Sequence, residues 1–119
     1  MGHVRVKIRL TNPDKPNGEV DVDDALVDTG ATWTTVPRSV ADRVCLRLVG
    51  KIAVKIAAGP QTLDQSYALI ELDEKRMVAP LLVSDALDSV LIGVTMLEAL
   101  GLAVDPASGE LKESEVFLL

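Results

Sequence analysis

Positions 4 to 10 alternate strictly: Val4, Val6, Ile8 and Leu10 are apolar, and Arg5, Lys7 and Arg9 are charged. A period of two predicts a strand with one face in a core and the other in water. The stretch "TNPDKPNG" (11–18) has the proline, asparagine and glycine content of a turn. The chain returns through "EVDVDDALVDTG" as a second strand, so residues 4–28 read as a hairpin.

"PRSVADRVCLRL" (37–48) reads as a short helix, with Ser39 as N-cap, Asp42 at the capping-box position and Val40 and Val44 on one face. In "KIAVKIAAGPQTLDQSYALIEL" (51–72), strands over 51–58 and 63–72 flank Ala58, Gly59, Pro60 and Gln61, a long hairpin with its tip near Gly59-Pro60. "RMVAPLLVS" (76–84) is a strand that Pro80 places at an edge. "SVLIG" (89–93) is a brief apolar strand ending in glycine. Met96, Leu97 and Leu100 then follow at helical spacing, with Gly101 as C-cap. "LAVDPASGEL" reads as strand, turn and strand, and the apolar tail "EVFLL" is expected to be buried. The pattern is that of one all-β domain over residues 1–119, with two short helices and its strand edges closed or paired.

Composition narrows the function classes. At 119 residues and 48% hydrophobic, the chain suits a single packed domain, its core filled by aliphatic residues because aromatics are only 3%. A net charge of −6 argues against nucleic acid, which needs a basic face. No segment has the roughly 20 apolar residues of a membrane helix, and "MGHVRVKIRL" lacks the continuous apolar stretch of a signal peptide. The lone Cys45 cannot form an internal disulfide and is expected as a packed thiol in a reducing, cytoplasmic setting. His3 is the sole histidine, so neither a zinc site nor a Ser-His relay is expected. Asp21, Asp23 and Asp24 read as a solvated strand face, without ligands at metal spacing. Neither metal nor cofactor is expected.

The candidate chemistry lies in "ALVDTGATWTTVP" (25–37), where an apolar strand runs into Asp28. Asp28-Thr29-Gly30 offers a carboxylate, a hydroxyl and a glycine at a strand-to-turn junction. The plain reading is an Asx turn, in which Asp28 bonds its own backbone two residues on. "DVDDALVDTG" also bears a loose likeness to a phosphoaspartyl loop, but that chemistry needs an acid two residues after the nucleophile, a later lysine and an α/β sheet together, and the chain offers no such frame. Trp33 either borders a subsite or packs in the core.

Asp28-Thr29-Gly30-Ala31 with Thr34, followed downstream by Val90-Leu91-Ile92-Gly93 and a helix, resembles the retropepsin-like aspartic proteases, particularly small stand-alone prokaryotic members. The resemblance spans nearly the whole chain. It implies a closed β barrel, half of an acid-protease unit, with a flap hairpin. Aspartic proteases use two carboxylates about 3 Å apart that share one proton. This chain has one Asp-Thr-Gly, so the resemblance implies a homodimer acting on peptide or protein substrate. Asp28 would be the catalytic acid, Thr29 would brace the two active-site loops, and Gly30 and Ala31 would admit the substrate backbone. Thr34 would be buried beneath the loop, and Ile92 and Gly93 would pack under the aspartate. Ala58, Gly59, Pro60 and Gln61 would form the flap, where Pro60 lacks a donor N–H. The alternative is a peptide-binding or assembly module that keeps the fold and cleaves little.

Overall fold

The computed structural model describes residues 4–114, and of residues 16 and 17 the backbone alone. The tail "EVFLL" and His3 lie outside the described residues. Among the described residues no helix is long and apolar enough to cross a membrane.

The elements in chain order are β1 (Val4–Asn12), β2 (Lys15–Val27), β3 (Thr35–Pro37), α1 (Arg38–Arg43), β4 (Gly50–Ile56), β5 (Gly59–Leu72), β6 (Lys75–Ser84), β7 (Leu91–Ile92), α2 (Val94–Leu100), β8 (Leu102–Val104) and β9 (Leu111–Glu113). Strands run in the order β1-β2-β7-β3-β6-β5-β4, and β1 also pairs with β5. That extra pairing joins Arg9 to Glu71 and Leu10 to Ile70, and closes six strands into a barrel. β4 stays outside the closure, hydrogen-bonded to β5 alone, and β8–β9 forms a separate small hairpin. This is the expected all-β barrel with two short helices and a projecting hairpin.

The alternation in the sequence becomes the barrel wall. Ile8 and Leu10 face inward with Val20, Ala25 and Val27 from β2. Ala68, Ile70 and Leu72 from β5 join Ala79, Leu81 and Val83 from β6, and α2 closes one end with Met96, Leu97 and Leu100. Gly101 ends α2 at φ 72, the left-handed cap that glycine adopts without a Cβ clash. Pro80 is exposed and pairs only with Tyr67 of β5. β3 joins β6 later, from Leu82 to Ser84, so the missing N–H falls where β6 has a free edge.

Three local expectations are corrected. The β1–β2 turn is confined to residues 13–14, and the strands resume at the pair Asn12–Lys15. The surplus residues bulge between that pair and Thr11–Glu19, so the turn-like composition is spread over a β-bulge. Helix α1 is only six residues long and starts at Arg38; Pro37 occupies the N-cap without a side-chain bond, so Ser39 caps nothing. Proline's fixed φ suits the helix entry, and no side chain makes the capping bond assigned to Ser39. Cys45 is exposed at φ 54 in the turn after α1, where the chain reverses too sharply to bury its thiol.

That turn is held from inside by Asn12, which is 3% exposed. Its Nδ2 donates to the carbonyls of Val44 at 3.1 Å and Cys45 at 2.8 Å, while its Oδ1 accepts from the Asp14 N–H at 2.9 Å. One side chain thus ties the β1–β2 turn to the end of α1. Replacing Asn12 with alanine leaves three buried or half-buried backbone groups without this partner. Urea denaturation of Asn12→Ala is expected to show a loss of about 2–3 kcal/mol.

Candidate active site

β2 delivers Asp28 just past its last paired residue. β7 lies parallel beside it, with Leu26 opposite Leu91 and Val27 opposite Ile92. The Leu26 N–H donates to the Val90 carbonyl at 2.8 Å, and the Asp28 N–H donates to the Ile92 carbonyl at 3.0 Å. On its other side β7 meets β3 through Thr35 and Leu91. Val90, Leu91 and Ile92 are all apolar because β7 sits between two strands inside the barrel wall, with Val90 and Ile92 fully buried.

The loop between β2 and β3 folds over the end of β7. Asp28 Oδ1 accepts from the Gly30 N–H at 3.0 Å, and its carbonyl accepts from the Ala31 N–H at 3.1 Å. The Asx turn is therefore present, and it orients the carboxylate by engaging one oxygen. Thr34 is buried, and its Oγ1 accepts from the Gly93 N–H at 3.1 Å. The Ala31 carbonyl accepts from the Val94 N–H at 2.8 Å, and the Thr95 hydroxyl donates to the Thr32 carbonyl. Three residues of the loop are thus bonded to the start of α2.

Gly93 makes this approach possible. A Cβ there would lie 2.5 Å from the Trp33 carbonyl carbon and 2.7 Å from the Thr32 and Trp33 carbonyl oxygens. Backbone meets backbone, so no rotamer change could relieve the clash.

The predicted residues fall into two groups. Asp28, Thr29, Gly30, Ala31 and Thr34 share one loop, with Ile92 and Gly93 beneath it. Asp28 and Ala31 are half-buried, and Thr29 and Gly30 are exposed. The hairpin residues are arranged differently from the expectation. β4 and β5 are joined by a two-residue turn at residues 57–58, and Ile56 already pairs with Gly59. Gly59, Pro60 and Gln61 therefore belong to β5, and only Ala58 is at the tip. Gly59, at φ 120, supplies the backbone twist one residue after the turn. Pro60 sits opposite Lys55, below the tip, so the turn itself keeps its N–H donors.

Between loop, hairpin and the β6–β7 connection lies a groove of about 480 Å³. Gly30, Ala31 and Trp33 form one wall, Val54, Ile56, Gln61 and Leu63 the hairpin side, and Leu82, Leu87 and Leu91 the rest. A larger open recess of about 690 Å³ lies between the β5–β6 turn and β8–β9. Charged Asp73, Glu74, Lys75, Lys112 and Glu113 line it, and the Asp28 loop does not reach it. The smaller groove is the candidate site because the motif loop forms its wall and its lining is apolar.

Sequence reasoning left Trp33 open between subsite and core; it is half-buried in the groove wall. Leu87 was missed, although a leucine within the polar run "SDALDS" was a usable signal.

An ionic cluster stands behind the groove. Arg38 Nη2 donates to Asp64 Oδ2 at 2.7 Å and Nε donates to Asp85 Oδ1 at 2.9 Å. Lys51 Nζ donates to the other oxygen of Asp64 at 2.9 Å. Bonds from Lys51 and then Arg38 hold the Asp64 carboxyl below its usual range, and Arg38 does the same to Asp85. Both carboxylates in turn keep the guanidinium firmly protonated.

The closed barrel, the Asp28 loop braced by β7 and α2, and the projecting β4–β5 hairpin together define the retropepsin-like fold. The chain is similar to the EIAV protease in an inhibitor complex, at TM-score 0.66 and 17% identity, covering 84% of this chain and 89% of that one. It is similar to the retroviral protease-like domain of Ddi1 from Leishmania major, at TM-score 0.62 and 19% identity, covering 95% and 87%. It is also similar to a retropepsin-like aspartic protease from Rickettsia conorii, at TM-score 0.53 and 17% identity, covering 88% and 89%. No family model and no curated protein matches the chain.

The steric account of Gly93 gives a test with an internal control. Gly93→Ala is expected to lower stability by about 3 kcal/mol and to shift the emission of Trp33, the sole tryptophan. Gly30→Ala, whose added carbon would meet only Asp28 Oδ1 at 3.3 Å, is expected to leave unfolding nearly unchanged.

Proposed function

We propose that the protein is a homodimeric aspartic endopeptidase in which Asp28 of each chain activates water for peptide hydrolysis. The observation that carries this reading is the placement of Asp28, oriented by β7 and its own Asx bond, on a loop whose Gly30, Ala31 and Trp33 line an apolar groove of a retropepsin-like fold. One carboxylate per chain is half of the chemistry. With two copies about a two-fold axis, one Asp28 takes a proton from water and its protonated mate polarises the scissile carbonyl. The proton then moves to the leaving nitrogen.

The other residues take roles around that step. Thr29, exposed beside Asp28, would brace the two loops across the axis, and Gly30 and Ala31 would leave room for an extended peptide backbone. The β4–β5 hairpin would close as a flap, pairing with substrate as an added strand and excluding water. Thr34, Ile92 and Gly93 would hold the loop from below. The acidic net charge disfavours nucleic acid as a partner, and the lone cysteine fits the cytoplasm.

A second reading, a peptide-binding module of the same fold, is favoured by the hairpin alone. Its tip is Ala57-Ala58 with Pro60 two residues on, a stiffer closure than a glycine-rich one.

Mass-spectrometric digestion of a peptide library by wild type and Asp28→Asn, both dimeric, separates the two. The enzyme reading predicts cleavage by wild type and a loss of about 1,000-fold or more in the variant. A folded wild-type dimer that binds peptides and cleaves none would establish the module instead.

A further inference from the structure

Arg38 breaks a local rule. It is the first residue of α1, where the helix dipole disfavours a cation, and the first turn carries no acidic residue to compensate. What offsets this placement is a pair of carboxylates from two other parts of the chain. Asp64 comes from β5 and Asp85 from the connection after β6, and Arg38 Nη2 also reaches Asp85 Oδ2 at 3.4 Å.

Both partners adjoin the groove. Asp64 follows Leu63 of the hairpin wall, and Asp85 precedes Ala86 and Leu87 of the opposite wall. The Asp64 side chain is only 13% exposed and its bond to Arg38 is partly buried, whereas the Asp85 side chain is 77% exposed and its bond to Arg38 lies in water. Lys51, directly across from Asp64 on β4, extends the same tie to the outer hairpin strand. The planar guanidinium therefore joins the two groove walls from behind, at an angle set by its own fork.

We propose that Arg38 is a positioning residue that fixes the base of the β4–β5 hairpin against the 84–87 wall and so sets the width of the groove. This rests on the groove being the peptide site. Arg38 does not touch the groove; it acts through Asp64 and Asp85. Asp64 anchors the hairpin below its tip, so the tip is free to open while the base stays in register. Lysine at this position would keep the charge and lose the fork, holding one carboxylate at a time.

The test compares wild type, Arg38→Met and Arg38→Lys by hydrogen exchange on the free protein and by peptide kinetics. In Arg38→Met, amide exchange is expected to rise about tenfold in residues 50–64 and 84–87, with the β1–β2 and α2 amides unchanged. KM is expected to rise about tenfold with kcat nearly unaltered, and Arg38→Lys should fall between the two on both scales. Acceleration spread evenly over the barrel, or no change at the two walls, would overturn the proposal. So would equal losses in kcat and kcat/KM with KM unchanged. Exchange needs no turnover, so a wild type that cleaves nothing, with the local exchange change present, would sink the protease reading and support the clamp.

Discussion

The structure depends on a backbone-to-backbone approach at Gly93. β7 is two residues long, yet it separates β2 from β3 and so must be held at both faces and at its end. The hydrogen bonds from Leu26 and Asp28 hold one edge, Thr35 the other, and the bond from Gly93 to Thr34 fixes the end. Only without a side chain at position 93 can the 31–33 loop lie close enough for Val94 and Thr95 to bond to it. The orientation of Asp28 is thus a product of barrel closure rather than of the motif alone. The Asp-Thr-Gly tripeptide explains the turn, and β7 explains why the turn points where it does.

The groove has its floor on the closed barrel and one wall on the projecting β4–β5 hairpin. The floor belongs to the barrel, with Leu82 and Leu91 on strands fixed on both sides. The β4–β5 hairpin extends beyond the closure, and β4 has a neighbour on one edge alone. Its exposed apolar Ile56 faces the groove mouth, as a surface made to be covered only part of the time would. The ionic cluster of Arg38, Asp64, Asp85 and Lys51 sits where the hairpin leaves the barrel.

Much of this was legible in the sequence because periodicity reports burial directly. The strict alternation of residues 4–10, the apolar run Val90-Leu91-Ile92 and the spacing of Met96, Leu97 and Leu100 each marked an element and its buried face. The motif pair also put Gly93 beneath the Asp28 loop, where its N–H bonds to Thr34. Turn boundaries were less legible, since proline and glycine mark irregular backbone without saying whether it is a turn or a bulge. That ambiguity moved the first turn to residues 13–14 and the hairpin tip to residues 57–58. The helix entry was misplaced because Ser39 has the chemistry of a cap while Pro37 has the geometry of one. The ionic cluster was invisible for another reason: Arg38 is 26 residues from Asp64 and 47 from Asp85, and only the fold brings them together.

The central claim is that one chain holds half a site and a second copy completes it. Mixing wild-type and Asp28→Asn chains under conditions of free subunit exchange tests this most directly. If every competent site needs two Asp28 carboxylates, peptide cleavage falls as the square of the wild-type fraction, to about one quarter in an equal mixture. A linear fall, to about one half, would mean that each Asp28 acts independently of its mate. That result would contradict the shared site.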